Sequence, residues 1–141
     1  MDLEFIKEGS HFTIYSMTVG ESVPDFLEKL KKERLDEYSK IIKRLEYLSE
    51  HGPNRRYSHY KNLGNGLFEI KTTGEARIIF FYDPGGIVIC SHGIIKKSQK
   101  IPKQELTNAL DRKSKYENAR DKKQKFRIIK KNDDKVPERT P

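Results

Sequence analysis

The chain has 141 residues, of which 34% are hydrophobic and 35% are charged, with a formal net charge of +8. This length suits one domain followed by a tail. The single cysteine, Cys90, excludes an internal disulfide, and no apolar run reaches the roughly 20 residues that span a bilayer. The first residues also lack the pattern of a secretory signal. We therefore expect a cytoplasmic protein with no membrane partner.

The excess of positive charge admits three interpretations. Net charge of this size keeps a small domain soluble. It also favours a polyanionic partner, because each phosphate that a lysine or arginine neutralises releases a counterion. An acidic protein partner would satisfy the same charge, so composition alone leaves the partner open.

The N-terminal part of the chain predicts one strand. Residues 12–19 are rich in β-branched and aromatic side chains, which favour a pleated, half-buried segment. Phe5 and Ile6 are expected either to extend this strand or to pack beneath it. Gly20 then ends it, because glycine commonly marks a turn.

A helical region follows this strand. Ser22 and Asp25 have the spacing of a helix N-cap and its N3 partner. Apolar residues then recur every three or four positions as far as Leu48, interrupted by the charged stretch 31–34. This pattern predicts either one kinked helix or a helical pair that ends near His51, before a Gly-Pro sequence.

Residues 54–66 form a polar segment that we interpret as a loop. It interleaves basic and aromatic side chains, namely Arg55, Arg56, Tyr57, His59, Tyr60 and Lys61. Such a mixture can bind phosphates and stack on bases. An ordinary packed surface loop has the same composition, so both interpretations remain open.

Three apolar runs separated by two glycine-containing turns come next. They cover residues 67–71, 76–82 and 87–95, and they predict a three-stranded antiparallel meander. Gly93 lies inside the third run, which indicates a bulge or a close approach of another group to the backbone. With the first strand and the helices, the meander gives an α+β fold.

The C-terminal part predicts a helix and then a tail. Pro102 opens the helix, and from Asp121 onward the chain is rich in lysine and poor in apolar residues. We predict a domain over residues 1–120 and a basic, flexible tail over residues 121–141. The tail is either a solvated end or an arm for a nucleic acid or protein partner. No spacing of Cys and His suggests a metal site, and no motif suggests a cofactor.

Three segments carry a resemblance to a known family. Residues 63–71 (LGNGLFEIK) resemble the strand motif L-x-x-G-L-[YF]-E-L-R, and residues 76–81 (ARIIFF) resemble Y-R-[IV]-[LF]-Y-F. Residues 92–102 (HGIIKKSQKIP) are similar to H-G-F-x-K-K-T-Q-K-T-P. These are motifs of the RelE/ParE superfamily of type II toxin–antitoxin toxins, and the match is nearest to its HigB-like, phage-associated branch. The resemblance covers roughly residues 12–116.

This resemblance implies both a function and partners. It implies a RelE/ParE-like toxin that cleaves mRNA, usually on the ribosome, and inhibits translation until an antitoxin binds it. The antitoxin is often a helix-turn-helix protein, and operator DNA is bound only through the complex of the two. Relatives of the ParE type poison DNA gyrase instead. A catalytically inactive, basic nucleic-acid-binding module is a third interpretation.

Metal-independent RNA cleavage needs fixed cations and one or two titratable groups, which the meander supplies. The 2′-hydroxyl attacks the adjacent phosphodiester, a base takes its proton, and cations stabilise the crowded phosphate. The catalytic candidates are Lys71, Arg77, His92 and Glu69. The candidates for RNA binding are Lys96, Lys97, Lys100, Arg55 and Arg56. The resemblance also implies that a lysine can act as the base.

Several of these residues also have structural interpretations. His92 is equally consistent with a hydrogen-bonded histidine in a strand, and Glu69 with a partner for a nearby cation. The chain also departs from the family motifs. Ala76 replaces an aromatic residue, Lys71 replaces an arginine and so lacks its bidentate fork, and Ile101 replaces a threonine that would cap the last helix.

Overall fold

A computed structural model describes residues 1–52, 59–98 and 100–130. Its elements are β1 (Asp2–Glu8), β2 (Thr13–Met17), α1 (Val23–Glu33), α2 (Leu35–His51), β3 (Tyr60–Gly64), β4 (Leu67–Lys71), β5 (Ala76–Asp83), β6 (Ile87–Ile95), α3 (Lys103–Asp121) and β7 (Arg127–Ile129). The strands in this part of the chain form one seven-stranded mixed sheet in the order β3-β4-β5-β6-β2-β1-β7. The predicted α+β class is confirmed.

The predicted meander is confirmed as β4, β5 and β6, which pair antiparallel in sequence order. The register of β5 and β6 shifts between Ile79 and Phe80, which produces a bulge in β6. Gly93 lies beside this bulge, and a Cβ atom there would stand 2.4 Å from the ring of Phe26 on α1. The close approach predicted at this glycine is therefore present, and it lets α1 pack directly on the sheet.

The helical region consists of two helices rather than one kinked helix. Ser22 caps α1, since its Oγ accepts a hydrogen bond from the amide of Asp25 at 3.3 Å. Arg34 leaves the helical conformation, with φ −143° and ψ 67°, and separates α1 from α2. α3 begins after Pro102 with no side-chain cap, as the replacement of threonine by Ile101 predicted.

Two strands are separate elements that the sequence did not predict. Phe5 and Ile6 belong to β1, a separate strand that pairs antiparallel with β2. β3 occupies part of the segment interpreted as a polar loop, and it pairs antiparallel with β4. The loop interpretation is wrong for residues 60–64, because an exposed edge strand owes its conformation to hydrogen bonds with its neighbour and not to an apolar pattern of its own.

β7 lies in the segment that we predicted as a flexible tail. It pairs in parallel with β1, and Arg127 forms an ion pair with Asp2 at 2.8 Å. Phe126, just before it, stacks on Tyr116 of α3 with ring centroids 5.3 Å apart. A flexible tail is therefore wrong for residues 127–129, because the short apolar island there docks on the N-terminal strand. Residues 131–141 lie outside the described chain.

The sheet separates two apolar cores. α1 and α2 cover one face, where Ile78, Phe80 and Cys90 are fully buried. α3 covers the other face over Ile79 and Phe81. Successive residues of a strand point to opposite faces, so the odd-numbered residues of β5 all lie on the α3 side. No helix in the described residues is long and apolar enough to cross a membrane.

Candidate active site

Lys71 and Arg77 lie directly opposite each other on β4 and β5. Directly opposed residues of antiparallel strands point to the same face, so both side chains are on the α3 side of the sheet. Glu69 lies two residues before Lys71 on the same face and pairs with Ile79. The expectation that Lys71 and Arg77 share a surface is confirmed, and Glu69 joins them.

Glu69 and Arg77 form a buried ion pair. Nε of Arg77 lies 3.3 Å from Oε1 of Glu69, and the two side chains are 9% and 1% exposed. The separation is that of an ion pair, but neither atom has a hydrogen-bond partner of acceptable geometry within the described chain. The Nη1 atom of Arg77 instead donates to the carbonyl oxygens of Gly74 and Ala76, at 2.7 and 2.9 Å. Arg77 is thus fixed by its own turn, and Glu69 partly compensates its charge.

Two further lysines join this pair. Lys61 on β3 lies opposite Glu69. Lys96 directly follows β6 and is only 8% exposed. It interacts electrostatically with Glu69, Arg77, Lys61 and Lys71. We call Lys61, Lys71, Arg77 and Lys96 the cationic cluster. It gathers four cations around one buried carboxylate, so it carries an excess of positive charge.

Lys96 has the most unusual environment of the cluster. Burial lowers the pKa of its ammonium group, because a charged group loses hydration inside the protein. Glu69 opposes this shift, whereas Arg77, Lys61 and Lys71 lower the pKa further. The net pKa lies below the usual value of 10.5. Lys96 therefore releases its proton more readily than an ordinary surface lysine does.

Helix α2 holds the turn that joins Lys71 to Arg77. Glu37 accepts a hydrogen bond from the amide of Ala76 at 2.6 Å, and Arg44 donates to the carbonyl oxygen of Lys71. Burial raises the pKa of Glu37, but hydrogen bonds from the backbone and from a neighbouring arginine outweigh it, so the net pKa is lowered. Glu37 is thus ionised, and the two cations of the site are positioned from the opposite face of the sheet.

His92 has both ring nitrogens occupied. Its Nε2 lies 2.8 Å from Oε1 of Glu105 on α3, and its Nδ1 lies 2.8 Å from Oγ of Ser91. Burial lowers the pKa of His92, Glu105 opposes the shift, and Arg112 adds to it, with a net lowering. A neutral ring that donates from Nε2 to the carboxylate accepts from the Ser91 hydroxyl at Nδ1. Neither nitrogen then offers a lone pair to a substrate, and His92 ties α3 to β6.

The other predicted RNA-binding residues are not part of the cluster. Lys97 and Lys100 are exposed in the segment between β6 and α3. Arg55 and Arg56 lie outside the described residues. The structure thus brings together Lys71, Arg77, Glu69 and Lys96, and it leaves Lys97 and Lys100 on the nearby surface.

Four residues of the site were not singled out from the sequence: Glu37, Arg44, Lys61 and Glu105. Glu37 and Arg44 are seven residues apart on a helix, so a helical wheel places both on one side. Nothing in the sequence indicates that this side meets the turn after β4. Lys61 was noted only as one basic residue of a polar loop, and its approach to Lys96 follows from the β3–β4 pairing.

Among the described residues, no group of three or more His, Cys, Asp or Glu side chains is placed to hold a metal ion.

Comparison with known proteins identifies the family. The model of the family described as phage derived protein Gp49-like (DUF891) matches residues 25–114. The matched region runs from α1 through the meander into α3, so it contains Lys61, Lys71, Arg77 and Lys96. No curated protein matches the chain significantly. The chain belongs to the Gp49-like family of type II toxin–antitoxin toxins, which is related to the RelE/ParE/HigB group.

Proposed function

We propose that this toxin is a metal-independent endoribonuclease that cleaves mRNA at the cationic cluster. The observation that carries the proposal is the excess of positive charge around the buried Glu69, where exposed Lys61 and half-buried Lys71 connect the buried Arg77 and Lys96 with the surface. A phosphodiester supplies the negative charge that this arrangement lacks. Cations fixed in advance stabilise the additional charge that develops on a phosphate in the transition state.

Each residue of the cluster has a role in this reaction. Arg77 donates to the scissile phosphate from Nη2, because its Nη1 donates to the turn carbonyls and its Nε faces Glu69. The 2′-oxygen attacks phosphorus as a base removes its proton, and the bond from phosphorus to the 5′-oxygen breaks. Lys71, across the strand pair from Arg77, gives a proton to the leaving 5′-oxygen. The products are a 2′,3′-cyclic phosphate and a 5′-hydroxyl.

Lys96 is the best-supported base in this cluster. Its lowered pKa raises the fraction of neutral amine at neutral pH. Glu69 is less suitable because its side chain is 1% exposed, which keeps a substrate hydroxyl away from the carboxylate. We assign His92 a positioning role, since both of its nitrogens are engaged within the protein.

The family membership supports the remaining parts of the proposal. A toxin of this kind has an antitoxin partner, and we infer that the antitoxin is a helix-turn-helix protein whose complex with the toxin binds operator DNA. Residues 92–102, which include Lys96, Lys97 and Lys100, support the HigB-like, phage-associated branch. We infer action on ribosome-bound mRNA in the cytoplasm, with the toxin domain predicted over residues 1–120 extended to include β7.

The test is expression of the double variant Lys71→Ala/Arg77→Ala with mapping of mRNA 5′ ends. Wild-type toxin should arrest growth and produce new 5′-hydroxyl ends, and the double variant should produce neither. The control is Lys32→Ala/Lys122→Ala, which removes two exposed lysines outside the cluster and should behave as wild type.

Three other results would contradict the proposal. Cleavage that persists in a folded Lys71→Ala/Arg77→Ala variant would exclude this site. Growth arrest by the wild type with intact mRNA and a DNA damage response would instead indicate a gyrase-directed toxin. A protein that causes neither effect yet binds nucleic acid would be an inactive binding module.

A further inference from the structure

A second basic surface lies on the opposite side of the sheet edge from the cationic cluster. It is a groove of about 240 Å³ between α2 and the start of β3. Its lining residues are Lys40, Lys43, Arg44, Tyr47 and His59, and we call it the α2 groove. It is lined by three cations and two aromatic rings, with no carboxylate among these five. Neither family motifs nor the proposed chemistry accounts for this combination.

The backbone of Lys71 links the residues of the groove to the cationic cluster. The amide of Lys71 donates to the carbonyl oxygen of His59 at 2.8 Å, and its carbonyl oxygen accepts from the guanidinium of Arg44. The side chain of Lys71 meanwhile points to the cluster, opposite Arg77. One residue therefore faces the cluster with its side chain and the groove with its peptide groups.

The charges of the groove and the cluster also interact. Burial lowers the pKa of Arg44, Tyr60 opposes the shift, and the charge of Arg77 adds to the lowering. Arg77 belongs to the cluster and Arg44 to the groove, so the two guanidinium groups lie close enough to repel each other. A polyanion that spans the edge of the sheet would relieve this repulsion.

The aromatic residues indicate what kind of polyanion fits. Tyr47 is half-buried in the groove, and its ring lies 4.6 Å from that of His51. His59, at the other wall, is also half-buried. Base stacking on such rings tolerates any sequence, and lysines beside them bind the backbone. An acidic protein segment would use the cations but would gain nothing specific from the rings.

We propose that the α2 groove binds the single-stranded RNA that flanks the scissile phosphate. The strand runs from Arg77 around the turn after β4, past Lys71, and into the groove. Lys40 and Lys43 contact its phosphates there, and Tyr47 stacks on a base. This inference rests on the proposed function, because the cluster defines where the cleaved phosphate lies.

The test measures binding of a 12-nucleotide oligouridylate to the full chain by fluorescence anisotropy at several salt concentrations. Lys40→Ala/Lys43→Ala should lower affinity about tenfold and reduce the salt slope by about 1.4, since each phosphate contact with a single strand contributes roughly 0.7. Lys32→Ala/Lys122→Ala removes the same charge elsewhere and should bind nearly as wild type does.

A second pair of variants tests the stacking step. Tyr47→Ala should weaken binding about fivefold or more, whereas Tyr47→Phe keeps a ring and should bind like the wild type. Near-UV circular dichroism and thermal unfolding identify any variant that has lost its fold. Tyr47→Phe and Tyr47→Ala binding equally well would overturn the stacking assignment.

The outcomes separate this inference from the proposed function. If the wild type cleaves transcripts in cells but Lys40→Ala/Lys43→Ala binds RNA with unchanged affinity and salt slope, the α2 groove serves another partner, such as an acidic protein segment, and the inference is wrong. A wild-type chain that binds no oligouridylate also overturns it, while transcript cleavage still decides the proposed function. RNA binding that is reduced in the groove variants but not in Lys32→Ala/Lys122→Ala supports the inference.

Discussion

The two ends of β5 hold buried charges that are arranged in opposite ways. At its C-terminal end, Asp83 accepts a hydrogen bond from the hydroxyl of Tyr116 at 2.7 Å and another from Arg120. At its N-terminal end, Arg77 meets Glu69 without hydrogen-bond geometry, and other cations surround the pair. Both ends lie on the α3 face, so the difference is one of partners and not of location.

This difference separates a structural cluster from a candidate site. In the Asp83 cluster the guanidinium of Arg120 pairs with both Asp83 and the exposed Asp121, so each charge has a partner of opposite sign, and the cluster fixes the C-terminal half of α3 on the sheet. Burial and the hydrogen bond to Asp83 raise the pKa of Tyr116, so its hydroxyl remains a donor. The cationic cluster instead gathers four cations around one carboxylate, and exposed Lys61 and half-buried Lys71 connect it with the surface. Uncompensated charge is unfavourable for folding, and it is favourable for binding an anion.

The largest expected effect comes from changing the two arginines in parallel. Arg77→Lys keeps the charge but loses the planar fork, and it should reduce mRNA cleavage about 10²-fold, the order expected for loss of one preorganised donor. Arg120→Lys makes the same chemical change at the Asp83 end and should leave cleavage unchanged. Cleavage is measured by primer extension in a translating cell extract. Equal losses in both variants would remove the distinction between the two ends.

Asp83→Ala should mainly affect stability. It leaves the buried hydroxyl of Tyr116 without its acceptor, which costs about 1–3 kcal/mol of unfolding free energy. Urea denaturation followed by circular dichroism measures this cost. Cleavage per folded molecule should remain near that of the wild type. A loss of cleavage greater than the loss of folded protein would show that the Asp83 cluster also serves the reaction.

The pH dependence of cleavage tests Lys96. The reaction uses neutral Lys96, whose pKa lies below 10.5, so the single-turnover rate should rise about tenfold per pH unit while the amine is mainly protonated. Lys96→Arg keeps the charge but does not deprotonate, so it should be slow and nearly independent of pH over that range. The rates are measured on programmed ribosomes between about pH 6.5 and about pH 8.5. A wild-type rate that does not change with pH would argue against Lys96 as the base.

The smallest expected effect concerns His92. Its pKa in the folded protein is lowered, so the unfolded chain binds the proton more tightly and stability falls as the pH drops below about 6.5. His92→Gln should weaken this dependence, whereas His51→Gln, at an exposed position on α2, should preserve it. The urea midpoint at several pH values gives the comparison. Equal pH dependence in wild type and His92→Gln would contradict a buried neutral ring.

The sequence by itself determined the parts of the fold that depend on local chemistry. The turns of the meander follow from glycine and proline, the start of α1 from Ser22, and the uncapped start of α3 from Ile101. The pairing of Lys71 with Arg77 also follows locally, because a short turn between two strands sets their register. These features involve residues close together in the chain, so their spacing is sufficient to predict them.

Only the tertiary structure decided which distant residues complete the site. Lys61 reaches Lys96 because β3 pairs with β4, and Arg44 reaches the peptide of Lys71 because α2 crosses behind the sheet. The same holds for His92, whose nitrogens meet Ser91 and Glu105 only when α3 docks. The edge strands β3 and β7 likewise form because a neighbouring strand offers hydrogen bonds. Such contacts depend on long-range packing, for which a single sequence carries no periodic or spacing signal.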